Sequence, residues 1–213
     1  MKHILLVEDH AVVRLATLFI IRDILSAVTP WEAANFPDAL QIVSSQQLDL
    51  VILDIDIPEG EGFQMVGKIR KFQPHVPVIM FSGMDEDVYA LHYLKAGANA
   101  FVSKSSSTEE IRAAIVAVLD SGRYMSASVR ETLLRGHHGY ETRQNNPLTT
   151  LSQRELEVLD LLLRGRWTKE IATFLNITDS SVSTYKTRIF EKLGVTTVIE
   201  LYQRVTTLRE MDD

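Results

Sequence analysis

The chain has 213 residues, no cysteine, 46% apolar and 23% charged side chains, and a net charge of −6. That is enough chain for one large or two small globular domains, and the lack of cysteine excludes a disulfide framework and thiolate chemistry. The charge is uneven, with 9 Lys+Arg against 16 Asp+Glu over residues 1–122, 4 against 2 over 123–147 and 9 against 10 over 148–213. A nucleic-acid partner therefore has to be sought in local charge, not in the total. Ile4–Val7 runs straight into Glu8-Asp9. This is unlike a signal peptide. No apolar run reaches the roughly 18 residues of a membrane span, so the expected setting is cytoplasmic, with no membrane partner.

Short apolar runs at Ile4–Val7, Leu50–Leu53, Val78–Phe81 and Ala100–Val102, with a weaker one near Trp31–Asn35, read as strands. Between them lie stretches of helical period. Val12, Leu15, Phe19 and Ile24 suit a first helix, and Ala39, Leu40 and Val43, opened by Pro37, a second. Phe63, Val66, Ile69 and Phe72 suit a third, Val88, Leu91 and Leu94 a fourth, and Ile111, Ile115 and Leu119 a fifth that ends at Gly122. Unbroken apolar strands alternating with helices predict a parallel α/β sheet covered on both faces. Five such units in 1–122 suit a flavodoxin-like, doubly wound five-stranded sheet of order 2-1-3-4-5.

Residues 123–147 read as a linker. The stretch "SVRETLLRG" is expected to form a short helix with a Ser128–Glu131 capping box, and "GHHGYETRQNNP" is polar and rich in turn residues. From Leu148 to Asp213 the period is helical throughout. A Ser152–Glu155 box opens a helix carrying Leu156, Leu159 and Leu163, and Gly165 stops it. Thr168 is expected to cap a second helix with Ile171, Ala172 and Leu175 inward, and Trp167 beside it to pack. After "NITD" a third helix runs from about Ser180 to Leu193, stopped by Gly194, and a Thr197–Glu200 box opens a fourth with Ile199, Tyr202, Val205 and Leu208. Four short helices with a tight turn between the second and third predict a small all-α helix-turn-helix domain.

In the 2-1-3-4-5 order, ligands bind where strands 1 and 3 diverge, at their C-terminal ends. Strand 1 ends in Glu8-Asp9 and strand 3 in Asp54, followed by Asp56. Clustered carboxylates without sulfur ligands suit a hard cation such as Mg²⁺. Strand 4 ends in Ser82 and strand 5 runs into Lys104. A metal, a hydroxyl and an ammonium around one point suit a phosphoryl group. Each of these residues alone is a common surface feature; their conjunction at four strand ends carries the reading. The chain turns at Ile55–Asp56, before Pro58, Gly60 and Gly62, so Asp54 is the strand-end side chain and Asp56 holds its carboxylate at the rim.

With Val182, Ile189 and Leu193 inward, the third helix of the C-terminal domain presents Ser180, Ser183, Thr184, Thr187 and Arg188 outward. Short hydroxyl side chains let a helix sit close in the major groove. Lys186 and Arg188 are placed for phosphates, with Lys192 near the helix end.

Residues 1–122 resemble the receiver domain of bacterial two-component response regulators, on the Glu8-Asp9 pair, "LDIDIP", Ser82, Phe101 and Lys104. The resemblance implies that a sensor histidine kinase phosphorylates Asp54. It implies Mg²⁺ held by Asp9, Asp54 and the Asp56 carbonyl, with Glu8 acting mainly through water. Lys104 would pair with the phosphoryl oxygens, and Ser82 and Phe101 would be the switch pair. Glu8 departs from the more usual aspartate by one methylene. The segment from Leu151 to Val195 resembles the LuxR-type helix-turn-helix of the NarL/FixJ subfamily, on Ser152–Glu155, Gly165, "KEIA", Val182, Ile189 and "KLGV". That implies a transcription regulator, not an enzyme, which binds double-stranded DNA as a homodimer and works with RNA polymerase. Base contacts would come from Ser183, Thr184 and Thr187, phosphate contacts from Lys186 and Arg188, and dimerisation from the last helix. Lys169 is placed for the DNA backbone. Many relatives carry Lys in place of Ser183 and His in place of Tyr185, so the preferred DNA sequence does not carry over. Two other readings compete: a receiver acting without phosphorylation, and a haloacid-dehalogenase-like phosphatase built on Asp54-Ile55-Asp56.

Overall fold

The computed structural model describes residues 1–135 and 146–210, which fall into two compact units, one within Met1–Tyr140 and the other within Glu141–Asp213. Residues 136–145 of the expected linker, "GHHGYETRQN", lie outside the described residues.

The first unit is a five-stranded, all-parallel sheet of order β2-β1-β3-β4-β5, built from β1 (Lys2–Val7), β2 (Val28–Ala33), β3 (Leu50–Leu53), β4 (Val78–Ser82) and β5 (Ala100–Ser103). The helices are α1 (Ala11–Ile24), α2 (Phe36–Ser45), α3 (Gln64–Phe72), α4 (Glu86–Lys95), α5 (Thr108–Ser121) and α6 (Ala127–Arg135). The central strands β3 and β4 are buried along their whole length, as both-face coverage requires. Strand β2 begins at Val28, three residues before the expected start. Pro30 hid it: the ring interrupts the apolar pattern, yet an edge strand tolerates a missing backbone donor on its outer side.

Helix α1 buries Thr17, Leu18 and Ile21, and leaves Val12 80%, Leu15 58% and Phe19 72% exposed. Its expected inner stripe is therefore the outer one, although Ile24 does reach the core. The Thr17 hydroxyl donates to the Val13 carbonyl at 2.9 Å, which lets a polar residue face the sheet. Helix α2 is capped by Asn35 Oδ1, which accepts from Asp38 N at 2.8 Å, with Pro37 in the first turn. Phe63 precedes α3, and Phe72 at its end is exposed. In α4 the deeply buried residues are Tyr89 and Tyr93 along with Val88, while Leu91 and Leu94 are half-buried. The cap of α6 is Ser126, whose hydroxyl accepts from Val129 N at 3.1 Å, so the box expected at Ser128 does not start the helix. Helix α6 packs on α4 and belongs to the first unit.

The second unit starts with a 3-10 turn at Pro147–Thr150, capped by Asn146, and continues with α7 (Gln153–Leu163), α8 (Thr168–Leu175), α9 (Asp179–Leu193) and α10 (Val198–Glu210). The Ser152–Glu155 box is formed in both directions. Thr168 is already inside α8; the Trp167 backbone N–H donates to Glu170 at 2.7 Å instead, and the Trp167 ring is 79% exposed rather than packed. Asn176 (φ 53°) makes the left-handed turn between α8 and α9, and Thr178 caps α9. Val182, Ile189 and Leu193 are buried as the period requires. In α10, Leu201, Val205 and Leu208 face inward, whereas Ile199 and Tyr202 are exposed. Among the described residues no helix is long and apolar enough to cross a membrane.

Candidate functional site

Strands β1 and β3 pair in parallel, with Val7 opposite Leu53. The next residue of each, Glu8 and Asp54, therefore emerges at the same edge, and Asp54 N donates to the Val7 carbonyl at 2.9 Å. Both carboxylates are almost wholly out of water, at 0% and 2% exposure. Two buried like charges cannot stand alone. Lys104, one residue beyond β5, brings Nζ to 2.6 Å from Glu8 Oε2 and 2.9 Å from Asp54 Oδ2. Its backbone N–H donates to the Ser82 carbonyl at 2.8 Å, so the β4 end fixes where the lysine starts.

Burial pushes the Asp54 carboxyl above the usual carboxylate range; Glu8 adds to the rise and Lys104 only partly offsets it. Burial works against the Lys104 ammonium, but the two carboxylates outweigh that and hold its pKa above the usual value. Lys104 Nζ lies against Glu8 Oε2 and Asp54 Oδ2 and His10 Nδ1 against Asp9 Oδ1, which uses at most one lone pair of each oxygen. Three buried carboxylate oxygens thus keep unused lone pairs. Ligand atoms of Glu8, Asp9, His10 and Asp54 all lie within 4.8 Å of one another. An oxygen-rich, sulfur-free set of this kind fits a hard divalent cation such as Mg²⁺.

His10 was not anticipated from the sequence. Its Nδ1 lies 2.8 Å from Asp9 Oδ1 and 3.1 Å from Glu8 Oε1, and its backbone N–H also donates to Glu8 Oε1. Only its position directly after the acidic pair would have pointed to it. The carboxylate of Asp56 is exposed and lies outside that cluster; its backbone N–H donates to Asp54 Oδ1 at 3.3 Å. Ser82 is fully buried, and its hydroxyl accepts from Met84 N at 3.1 Å. Phe101 points inward at 2% exposure, its ring centroid 6.2 Å from that of Tyr93.

In the second unit Ser183, Thr184, Thr187 and Arg188 are exposed on one side of α9, and Lys169 is exposed on α8. The hydroxyls of Ser183, Thr184 and Thr187 each donate to the carbonyl four residues back, at 2.9–3.1 Å, leaving their oxygens free to accept. Lys186 is half-buried with Nζ 5.4 Å from the Phe190 ring centre. Lys192 is diverted from the outer face: it pairs with Glu155 at 2.7 Å and donates to the Thr150 carbonyl at 2.9 Å.

A doubly wound sheet with an acidic, lysine-bridged switch point, followed in the chain by a helix-turn-helix unit, is the architecture of a two-module regulatory protein. Comparison with known proteins gives the family. Residues 4–116 match the response regulator receiver domain family, and residues 149–205 match the bacterial regulatory proteins of the luxR family. The chain belongs to the response regulators, of the NarL/FixJ type, with a LuxR-type DNA-binding domain, and is a transcription regulator of a two-component system. It is 28% identical over 201 residues to the response regulator UvrY of Escherichia coli K12, covering 94% of this chain and 92% of that protein. It is 30% identical over 198 residues to BvgA of Bordetella pertussis, covering 93% of each. The fold is shared with RcsB of Salmonella enterica serovar Typhimurium bound to promoter rprA in the presence of the phosphomimetic BeF₃⁻, at TM-score 0.75 and 23% identity over 97% of this chain and 99% of that one.

Proposed function

We propose that a sensor histidine kinase phosphorylates Asp54 in a Mg²⁺-dependent reaction, and that the modified protein dimerises and binds promoter DNA. The observation that carries this reading is the bridge from Lys104 to both Glu8 and Asp54 at the switch point, with lone pairs left over for a cation. Asp9, Asp54 and the Asp56 carbonyl would hold Mg²⁺, with Glu8 acting mainly through water. The metal supplies charge neutralisation for the transferring phosphoryl group. Asp54 Oδ attacks the phosphorus, and the phosphoryl leaves the donor histidine. Lys104 exchanges its carboxylate partner for a phosphoryl oxygen. The Ser82 hydroxyl turns to the phosphoryl group and gives up Met84 N. The Phe101 ring, buried beforehand, follows into the space that this movement vacates. New charge and three acceptor oxygens bias a pre-existing equilibrium between two receiver states.

The exposed stripe Val12, Leu15 and Phe19 begins next to the acidic cluster and offers an apolar face to the phosphoryl donor protein. On the output side, Ser183, Thr184 and Thr187 meet base edges, while Lys186, Arg188 and Lys169 meet phosphates. Ile199 and Tyr202, left exposed by α10, supply an apolar dimer contact, and RNA polymerase is the onward partner. The RcsB complex with promoter DNA and BeF₃⁻ supports this by analogy of fold. The phosphatase alternative needs the Asp56 carboxylate as general acid at the Asp54 site, and that carboxylate is exposed and stands outside the cluster.

Acetyl phosphate with Mg²⁺ is expected to add one phosphoryl group to the wild-type chain and none to Asp54→Ala, read by intact mass. Equal labelling of both proteins refutes the assignment of Asp54.

A further inference from the structure

Helix α6 is fastened to the first turn of α4 by two hydroxyl–carboxylate bonds. Ser126 Oγ donates to Glu86 Oε2 at 2.9 Å, and Ser128 Oγ donates to Asp87 Oδ1 at 2.5 Å. Ser126 is buried and does two jobs, since the same oxygen caps α6 by accepting from Val129 N. Val129 is buried, and α6 packs along α4.

The chemistry of that turn explains why hydroxyls are needed. Glu86 is half-buried among Glu110, Asp87 and Asp85, and burial followed by these like charges keeps its carboxyl above the usual range. A donor that replaces lost water is worth more there than at an open surface. The same turn lies next in sequence to the switch hydroxyl. Ser82 Oγ holds Met84 N, and Asp85 Oδ1 caps α4 by accepting from Asp87 N at 2.8 Å. Only Gly83 separates Ser82 from Met84, and Glu86 and Asp87, which carry the α6 fastening, follow within three residues of Met84.

We propose that α6 is a latch: it is closed on Glu86 and Asp87 in the unmodified protein, and it opens when Ser82 turns to the phosphoryl group and shifts the start of α4. This rests on the phosphorylation reading above and adds the element that carries the change out of the receiver. Both bonds are charge-assisted, and releasing them requires the turn to carry the carboxylates beyond about 3.5 Å from the hydroxyls. Opening uncovers the face of α4 on which α6 packs.

The test is hydrogen exchange on the full chain, reading residues 82–87 and 127–135 separately. Ser126→Ala with Ser128→Ala is expected to lower protection of 127–135 about tenfold without beryllofluoride. Ser128→Ala alone, at an exposed position, is expected to give part of that loss, and Ser128→Thr to restore it. In wild type, beryllofluoride with Mg²⁺ is expected to lower protection of 127–135 by a similar factor, and to leave Asp54→Ala unchanged. Unchanged protection of 127–135 in the double variant overturns the latch. Beryllofluoride that alters 82–87 but leaves 127–135 protected overturns its release while sparing the phosphorylation reading. No change at 82–87 in wild type refutes the phosphorylation reading, and the release step with it.

Discussion

Lys104→Met removes the cation between two buried carboxylates and keeps the aliphatic stem. The ammonium lies 2.6 Å from Glu8 and 2.9 Å from Asp54. At an effective dielectric constant of about 20, each contact amounts to roughly 6 kcal/mol of attraction before desolvation. The carboxylate oxygens lie within 4.8 Å of each other, which on the same scale is at least roughly 3 kcal/mol of repulsion. Most of the attraction offsets the cost of burying three charges. What the substitution exposes is the uncompensated pair, and breaking a buried ion pair from one side costs about 3–5 kcal/mol. The sign with pH follows from Asp54. Its folded carboxyl already lies above the unfolded value because of burial, and losing Lys104 raises it further. The folded state of the variant therefore takes up a proton more readily than the unfolded chain. The loss is largest at neutral pH and shrinks as pH falls through the raised folded value. The assay is urea unfolding in chelator, followed by fluorescence in a Trp167→Phe background, where Trp31 in β2 is the remaining tryptophan and reports the receiver. A loss under about 1 kcal/mol at pH 7.5, or a loss as large at about pH 5, refutes the account of this cluster.

Other predictions concern the second unit and the dimer. Burial raises the Glu155 carboxyl, but Lys192 and the Ser152 donors outweigh it, and the net pKa is lowered. Glu155 therefore contributes stability above its unfolded pKa, which is lost as pH falls through the lower folded value. Glu155→Gln is expected to weaken the second unit by about 1–2 kcal/mol at pH 7 and to flatten its stability between about pH 5 and 3, read by Trp167 fluorescence in urea. An unchanged pH profile counts against the pairing. Arg188→Ala is expected to weaken binding to all DNA sequences alike and to reduce the slope of log affinity against log salt by about one, whereas Thr187→Ala changes sequence preference with little effect on the slope. The reverse pattern would reassign both residues. Ile199→Glu is expected to leave the monomer folded, because Ile199 is exposed, and to abolish beryllofluoride-dependent dimerisation in sedimentation; a normal dimer excludes α10 from the contact.

The sequence made the sheet and its acidic edge legible for the same reason. In a parallel α/β fold the strands are buried on both faces, so they stand out as unbroken apolar runs, and a charge directly after one lies at a sheet edge. Glu8, Asp54, Ser82 and Lys104 were all visible in that way. Helix faces were less legible. Helix α1 carries two apolar stripes, one of Val12, Leu15 and Phe19 and one of Val13, Thr17, Ile20 and Ile24, and periodicity cannot choose between them. The sheet takes the second, together with Leu18 and Ile21. Tyr93 is buried beside Phe63 and Phe101, an aromatic set brought together from three places far apart in sequence. Lys192 looked free until Glu155 was placed beside it by the packing of α7 on α9. The fastening of α6 was invisible for the same reason, because it joins Ser126 and Ser128 to residues about forty positions earlier.

The central claim is that modification at Asp54 switches assembly. Sedimentation of the full chain with Mg²⁺, with and without beryllofluoride, tests it most directly. The account predicts a shift from monomer to dimer on adding beryllofluoride, absent in Asp54→Ala. A wild-type protein that sediments identically in both conditions contradicts it.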